Sequence, residues 1–396
     1  MKRSTDRILT THVGSLIRPP EVREFLRAIN RGEVIDETAQ TRVLRDAVSQ
    51  VVKQQVETGI DIVSDGEFGK TISWSQYVLE RLGGFERRLL ADDAKDPFAA
   101  GEDRRRFPEF YAELDAQEKR VSGGDGGAVK SESVCVGPIT YTGQGALQRD
   151  IEHIKSAIAD VDVKDAFLPV VAPASAIPDR RNEYYASDEE CVFALAAAMK
   201  VEYRAIVDAG LLVQVDDARA AVTYDRMVPP ASFEDYRSWL TMHMEALNFA
   251  LEGIPEDRVR YHVCWGSWPG PHTSDVALKE IVDLILSVRA GAYVLEGANP
   301  RHEHEWRVWE AATLPEGKIL IPGVISHGTN VVEHPDLVAE RLVRLARIVG
   351  RESIIAGTDC GFAQGPFHQR VHPSVMWAKL QALVDGAKLA SEALWG

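Results

Sequence analysis

The sequence predicts an α/β protein closed as a (β/α)8 TIM barrel, with a long insertion between strands two and three. Three observations carry this. Short, continuously apolar runs recur along the chain, as expected of parallel strands buried on both faces. Stretches with helix start and stop signals lie between them. No glycine-rich dinucleotide turn follows the first run, which sets a barrel above a doubly wound open sheet.

The runs occupy 8–13, 61–64, 168–172, 211–215, 259–264, 292–295, 319–325 and 353–357. A helical segment joins the first two and stops at Gly59. Ser187-Asp188-Glu189-Glu190 is a capping box, opening a helix that should end at Gly210. From Asp275 to Gly291, Val276, Leu278, Ile281, Val282, Ile285 and Val288 form one helical stripe. Pro335 opens a further helix and Gly350 ends it. Residues 68–166 break the rhythm with the charged run Glu102-Asp103-Arg104-Arg105-Arg106, a glycine-rich stretch at 122–127 and a short strand-like piece at 133–137. They are expected to form an insertion on a βα loop and to cover the site as a lid. The glycines read as a mobile linker and the charged run as a solvated face. Residues 1–396 then make a single barrel domain carrying this insertion.

The chain has 396 residues, enough to bury a large core. Its 45 basic and 60 acidic residues give a net charge of −15, which argues against nucleic-acid and anionic-membrane partners. Four cysteines do not make a disulfide framework and point to a reducing compartment. The first residues lack the apolar run of a signal peptide, and no stretch suggests a membrane span. The expected location is the cytoplasm, and self-association into a homo-oligomer is left open.

Chemistry concentrates where the runs end. His262 and Cys264, two apart on a strand, point to one face, and Cys360 follows a later strand. Imidazole and thiolate are preferred zinc donors, and a catalytic zinc keeps about one position open. Buried structural cysteines are the competing reading. Other polar residues share this end of the barrel: Ser15, Glu67, Asp216 with Asp217, Glu296 and His327. Seven of the eight strand ends carry such a residue, more than helix caps explain. A sulfur-rich Zn²⁺ suits deprotonating a substrate thiol better than sharpening a water. His327 could return a proton to a leaving group, and Glu67 with Asp216 could bind a cationic group. His302 and His304 form a second, weaker metal-like pair. Trp265 and Trp268 suit either a pocket wall or the core.

The motifs Thr10-Thr11-His12-Val13-Gly14-Ser15, Ser64-Asp65-Gly66-Glu67, Gln214-Val215-Asp216, His262-Val263-Cys264, Leu295-Glu296 and Gly357-Thr358-Asp359-Cys360 resemble the catalytic barrel of cobalamin-independent methionine synthase. Asn182-Glu183-Tyr184-Tyr185, Cys264-Trp265-Gly266, Gly270-Pro271-His272-Thr273, Asn299-Pro300-Arg301-His302 and Val332-Glu333-His334-Pro335 are similar to the epoxyalkane:coenzyme M transferase branch. The resemblance implies His262, Cys264 and Cys360 as zinc ligands, with Glu296 a displaceable fourth. It implies that Ser15, Glu67 and Asp216 hold the amino-acid part of homocysteine, and that His327 is the acid. The partners implied are a small thiol and an alkyl donor, methylfolate-like or an epoxide. Coenzyme M would need a cation near the site, such as Arg18 or Arg301. Asp217-Ala218-Arg219 departs from the family's Glu-Pro-Ala.

Overall fold

The computed structural model describes residues 1–31, 33, 36–90, 100–123, 131–176, 181–367 and 369–396. Positions 124–127 of the expected glycine-rich linker lie outside them. Among the described residues the strands are β1 (Leu9–Thr10), β2 (Ile62–Ser64), β3 (Leu82–Leu89), β4 (Ser131–Tyr141), β5 (Asp165–Val171), β6 (Arg181–Asn182), β7 (Leu212–Asp216), β8 (Val259–Val263), β9 (Ala292–Leu295), β10 (Ile319–Ile325) and β11 (Ile355–Thr358). Eight of them run parallel in the order β1-β11-β10-β9-β8-β7-β5-β2, each at one of the predicted runs. The molecule is a TIM-type barrel.

Side chains complete the closure between β1 and β2. Asp61 donates its backbone N–H to the Thr10 carbonyl at 3.1 Å, and its carboxylate accepts from the Thr10 N–H at 2.9 Å. The Thr11 hydroxyl donates to the Ile62 carbonyl at 2.9 Å, and Arg7 clamps the Asp61 carboxylate. The barrel interior is filled by one apolar cluster that includes Leu9, Ile62, Phe167, Leu212, Val294, Ile321 and Ile355. Arg260 is buried among them with its guanidinium 3.8 Å from the Phe167 ring centre. It donates to the Thr11 hydroxyl and the His12 carbonyl.

The helices follow the predicted caps closely. Helix Asp188–Asp208 starts where the Ser187 hydroxyl accepts the Glu190 N–H, and the Glu190 carboxylate accepts the Ala186 N–H. Helix Glu37–Thr58 ends at Gly59 with φ +99, and Pro335–Val349 ends at Gly350. The stripe at 275–291 behaves differently. It yields a 3-10 turn, Leu278–Glu280, and one short helix, Val282–Leu286. Asp275 is engaged by His272 and His302, and the Leu278 N–H goes to the Glu305 carboxylate, so the first helical turn never forms.

Between β2 and β5, β3 pairs antiparallel with β4, and β6 adds to β4 from the segment after β5. Helix Gln144–Ile158 packs against Glu37–Thr58 as the barrel's crossover helix. Arg81 locks this region to the barrel. It bridges Glu202 at 2.9 Å and Asp150, and stacks over the Tyr77 ring.

Candidate metal centre and substrate cavity

Strand register builds the site. Asp216 of β7 is paired directly with His262 of β8, so their side chains meet at the carboxyl end of the barrel. The His262 Nδ1–Asp216 Oδ1 distance is 3.0 Å. That bond leaves Nε2 as a buried nitrogen with no hydrogen-bond partner. Cys264 follows β8 immediately, and Cys360 lies two residues past β11. The donor atoms of His262, Cys264 and Cys360 all lie within 4.8 Å of one another, and all three residues are buried. One orphaned nitrogen and two sulfurs at this spacing are a donor set that a thiophilic cation completes.

The electrostatics are those of a coupled sulfur pair. The Cys264 thiol hydrogen-bonds to the Cys360 sulfur and holds Cys360 well below its ordinary pKa, with help from His262 and His327. Cys264 is pushed up correspondingly. Burial opposes charge on His262, but Asp216 and the Cys360 sulfur outweigh it and raise its pKa to about 10. The Ser267 hydroxyl donates to the Cys360 sulfur at 3.1 Å. Asp216 also accepts from the Gln214 amide at 2.9 Å, so the carboxylate that orients His262 is itself fixed.

A cavity of about 320 Å³ opens over this cluster, lined by Ser15, Glu67, Asp216, His262, Cys264 and Cys360. Gly361 lets the loop after β11 reach Ser15, for a Cβ there would sit 1.9 Å from the Ser15 hydroxyl. Glu67 has φ +61, a left-handed backbone that costs a non-glycine residue about 1 kcal/mol and suggests a positional role. Burial raises the Glu67 pKa to about 7 against the pull of Lys70, whose Nζ lies 3.1 Å away.

Two further predicted residues stand apart from this lining. Glu296 is buried with its oxygens held by the Trp265 N–H at 2.9 Å and the Asn299 amide at 2.7 Å, outside the three-donor cluster. Burial raises its pKa to about 8. His327 is buried and outside the cavity lining, its pKa lowered mainly by burial, and its Nδ1 has no hydrogen-bond partner. Asp217 turns away to accept from Ser175 and Tyr261.

The structure also separates the alternatives left open for the remaining candidates. His302 and His304 do not share a face: His302 is buried between Asp275 and Glu305, while His304 is exposed on a 3-10 turn. Trp265 is a core residue donating to the Val276 carbonyl, whereas Trp268 walls the cavity. Arg18 is buried beneath the site and holds the carbonyls of Glu67 and Lys70, and Arg301 is exposed outside the lining. Among the described residues the arginines that line the cavity are instead Arg219, Arg226 and Arg370. The spacing 219, 222, 226 on one helical face was the signal available for the first two.

A family described as cobalamin-independent synthase, catalytic domain, matches residues 8–120. A methionine synthase of Sulfurisphaera tokodaii is 24% identical over 97% of this chain and 93% of its own. The 2-hydroxypropyl-CoM lyase of Xanthobacter autotrophicus is 26% identical over 87% of this chain and 85% of its own. The chain is thus similar to the catalytic domain of cobalamin-independent synthases over residues 8–120 and to these relatives along most of its length. A B12-independent methionine synthase from Shewanella, solved with selenomethionine, superposes with a TM-score of 0.71 at 19% identity, covering 98% of this chain and 99% of that one. That likeness is one of fold, and it spans the whole barrel. Among the described residues no helix is long and apolar enough to cross a membrane.

Proposed function

We propose that this protein is a zinc-dependent alkyltransferase that alkylates a small thiol, by methyl transfer to homocysteine or a related thiol. The observation that carries this is the buried cluster of His262, Cys264 and Cys360 at the floor of an open cavity. A zinc ion held by those three residues would supply electron-rich Lewis acidity that favours a substrate thiol in its deprotonated form. Glu296, held just outside the cluster, is proposed as a displaceable fourth ligand. Asp216 fixes the His262 tautomer, as carboxylate partners of metal-ligating histidines do. Ser15, Glu67 and Asp216 would seat the polar end of the thiol. The thiol sulfur then forms a bond to the donor carbon as the carbon–leaving-group bond breaks. His327 is proposed to deliver the proton to the departing group. Trp74 and Trp268 narrow the cavity and keep water from the reacting atoms. The segment from Ser73 to Gln76 lines the cavity, and we take this part of the expected 68–166 insertion as its lid, whereas Gln144–Ile158 belongs to the barrel.

The alternative is epoxide opening by coenzyme M, supported by the 2-hydroxypropyl-CoM lyase relative and by the arginines at the cavity. Incubation with homocysteine plus a methyl donor, or with coenzyme M plus epoxypropane, separates the two. Elemental analysis should give about one zinc per chain. Active protein free of metal, or metal-loaded protein inert toward both pairs, would sink the reading.

Glu67 makes a pH prediction. Its raised pKa of about 7 means the carboxyl is neutral below that pH and anionic above it. Homocysteine, which presents an ammonium group, should therefore bind more tightly as pH rises from 6 to 8. Titration calorimetry of the zinc-loaded protein checks this, and Glu67→Gln should flatten the profile. An unchanged profile in Glu67→Gln would remove the ammonium contact.

His327 makes a second. His327→Asn should keep its zinc and slow turnover by about 10²-fold, the lower range for a general acid. Full activity in that variant would exclude the proton-donor role.

A further inference from the structure

The chain carries a net charge of −15, yet three arginines line the cavity over the sulfur cluster. Arg219 and Arg226 stand two turns apart on helix Arg219–Met227, with Val222 between them on the same face, and all three line the cavity. Arg370 comes from the loop after β11. All three arginines are half-buried. In an acidic protein, cations gathered from two separate elements at a single concave surface focus the field on anions entering it.

We propose that Arg219, Arg226 and Arg370 form an oxyanion subsite for the carbon donor, which would carry a carboxylate, sulfonate or phosphate group. This rests on the alkyltransferase reading, in which Glu67 and Asp216 flank the thiol. Asp216 lies 3.0 Å from His262 and Glu67 lines the same cavity, and carboxylates there disfavour an anion, so the arginine side of the cavity is left to the second substrate. Guanidinium forks match planar or tetrahedral oxyanions through paired hydrogen bonds. Val222 and Trp268 between and opposite the arginines would pack the donor's carbon skeleton.

The test needs no turnover. The purified zinc-loaded protein is titrated at constant ionic strength with ethanesulfonate, propionate and inorganic phosphate, reading tryptophan fluorescence and thermal stability. Trp74 and Trp268 line the same cavity and act as reporters. Saturable binding of at least one anion is expected, weakened about tenfold or more by Arg226→Gln or Arg370→Gln, as loss of a charged hydrogen-bond partner predicts. Arg226→Lys should recover part of it, and Arg301→Gln, outside the cavity, should match the parent. No saturable response, or equal affinity in every arginine variant, overturns the subsite. Zinc content and homocysteine binding are measured on the same samples. Zinc and homocysteine bound without anion binding would discard only the subsite. Anion binding in a protein that holds no zinc would discard the alkyltransferase reading instead.

Discussion

Cys264→Ser and Cys360→Ser are each expected to lose zinc and thiol alkylation together. Both sulfurs belong to the three-donor cluster, and serine presents a harder, less acidic donor. The loss of zinc affinity should exceed the roughly 10–100-fold that follows removal of an outer partner. Cys135, whose thiol donates to the Gly137 carbonyl in the inserted region, provides the contrast. Cys135→Ser should keep its zinc. Elemental analysis and a homocysteine alkylation assay on the three variants decide the matter. Full metal occupancy and turnover in Cys360→Ser would rule out the proposed ligand set.

Arg81→Met should destabilise the fold more than any surface change. Arg81 is 7% exposed and Glu202 1%, so methionine strands a carboxylate in the interior. Breaking a buried pair by removing one partner costs about 3–5 kcal/mol. The Tyr77 hydroxyl still donates to Glu202 at 3.0 Å, but it carries no charge. Urea unfolding measures the loss. Pairing Arg81→Met with Glu202→Leu should recover much of it, because the fully buried carboxylate is gone and Asp150 keeps some contact with water. Zinc content should stay near one per chain, since the bridge lies away from the cluster. A cost below about 1 kcal/mol, as for an exposed site, would show that the bridge does not hold the inserted region.

All eight barrel strands were legible because burial on both faces leaves an unbroken apolar run. Caps with a local mechanism were legible as well: Ser187, Gly59 and Gly350 act within their own turns. The stripe at 275–291 misled because distant partners, His302 and Glu305, take Asp275 and the Leu278 N–H from the helix. β3 was missed since Leu82–Leu89 holds two glycines and two arginines and is largely half-exposed. In the site, residue type and strand end were enough to select His262, Cys264 and Cys360. Register was not needed to find them, though it explains why Asp216 meets His262. The choice of cation was out of reach. Arg18 and Arg301 lie next to site motifs in sequence, but one is consumed by backbone carbonyls and the other faces solvent. Arg370 joins the cavity only through the path of a long loop.

The pairing of β1 with β11 bears on biosynthesis. Leu9 and Thr10 find their partners at Ile355 and Ala356, and the Ile8 N–H bonds to Ser391 in the last helix. A nascent polypeptide must therefore be extended past Ala356 before its first strand has a neighbour on that side. The third sulfur–nitrogen donor, Cys360, emerges in the same final stretch. Loading of the proposed metal would thus wait until Cys360 has been made and the barrel has closed around it.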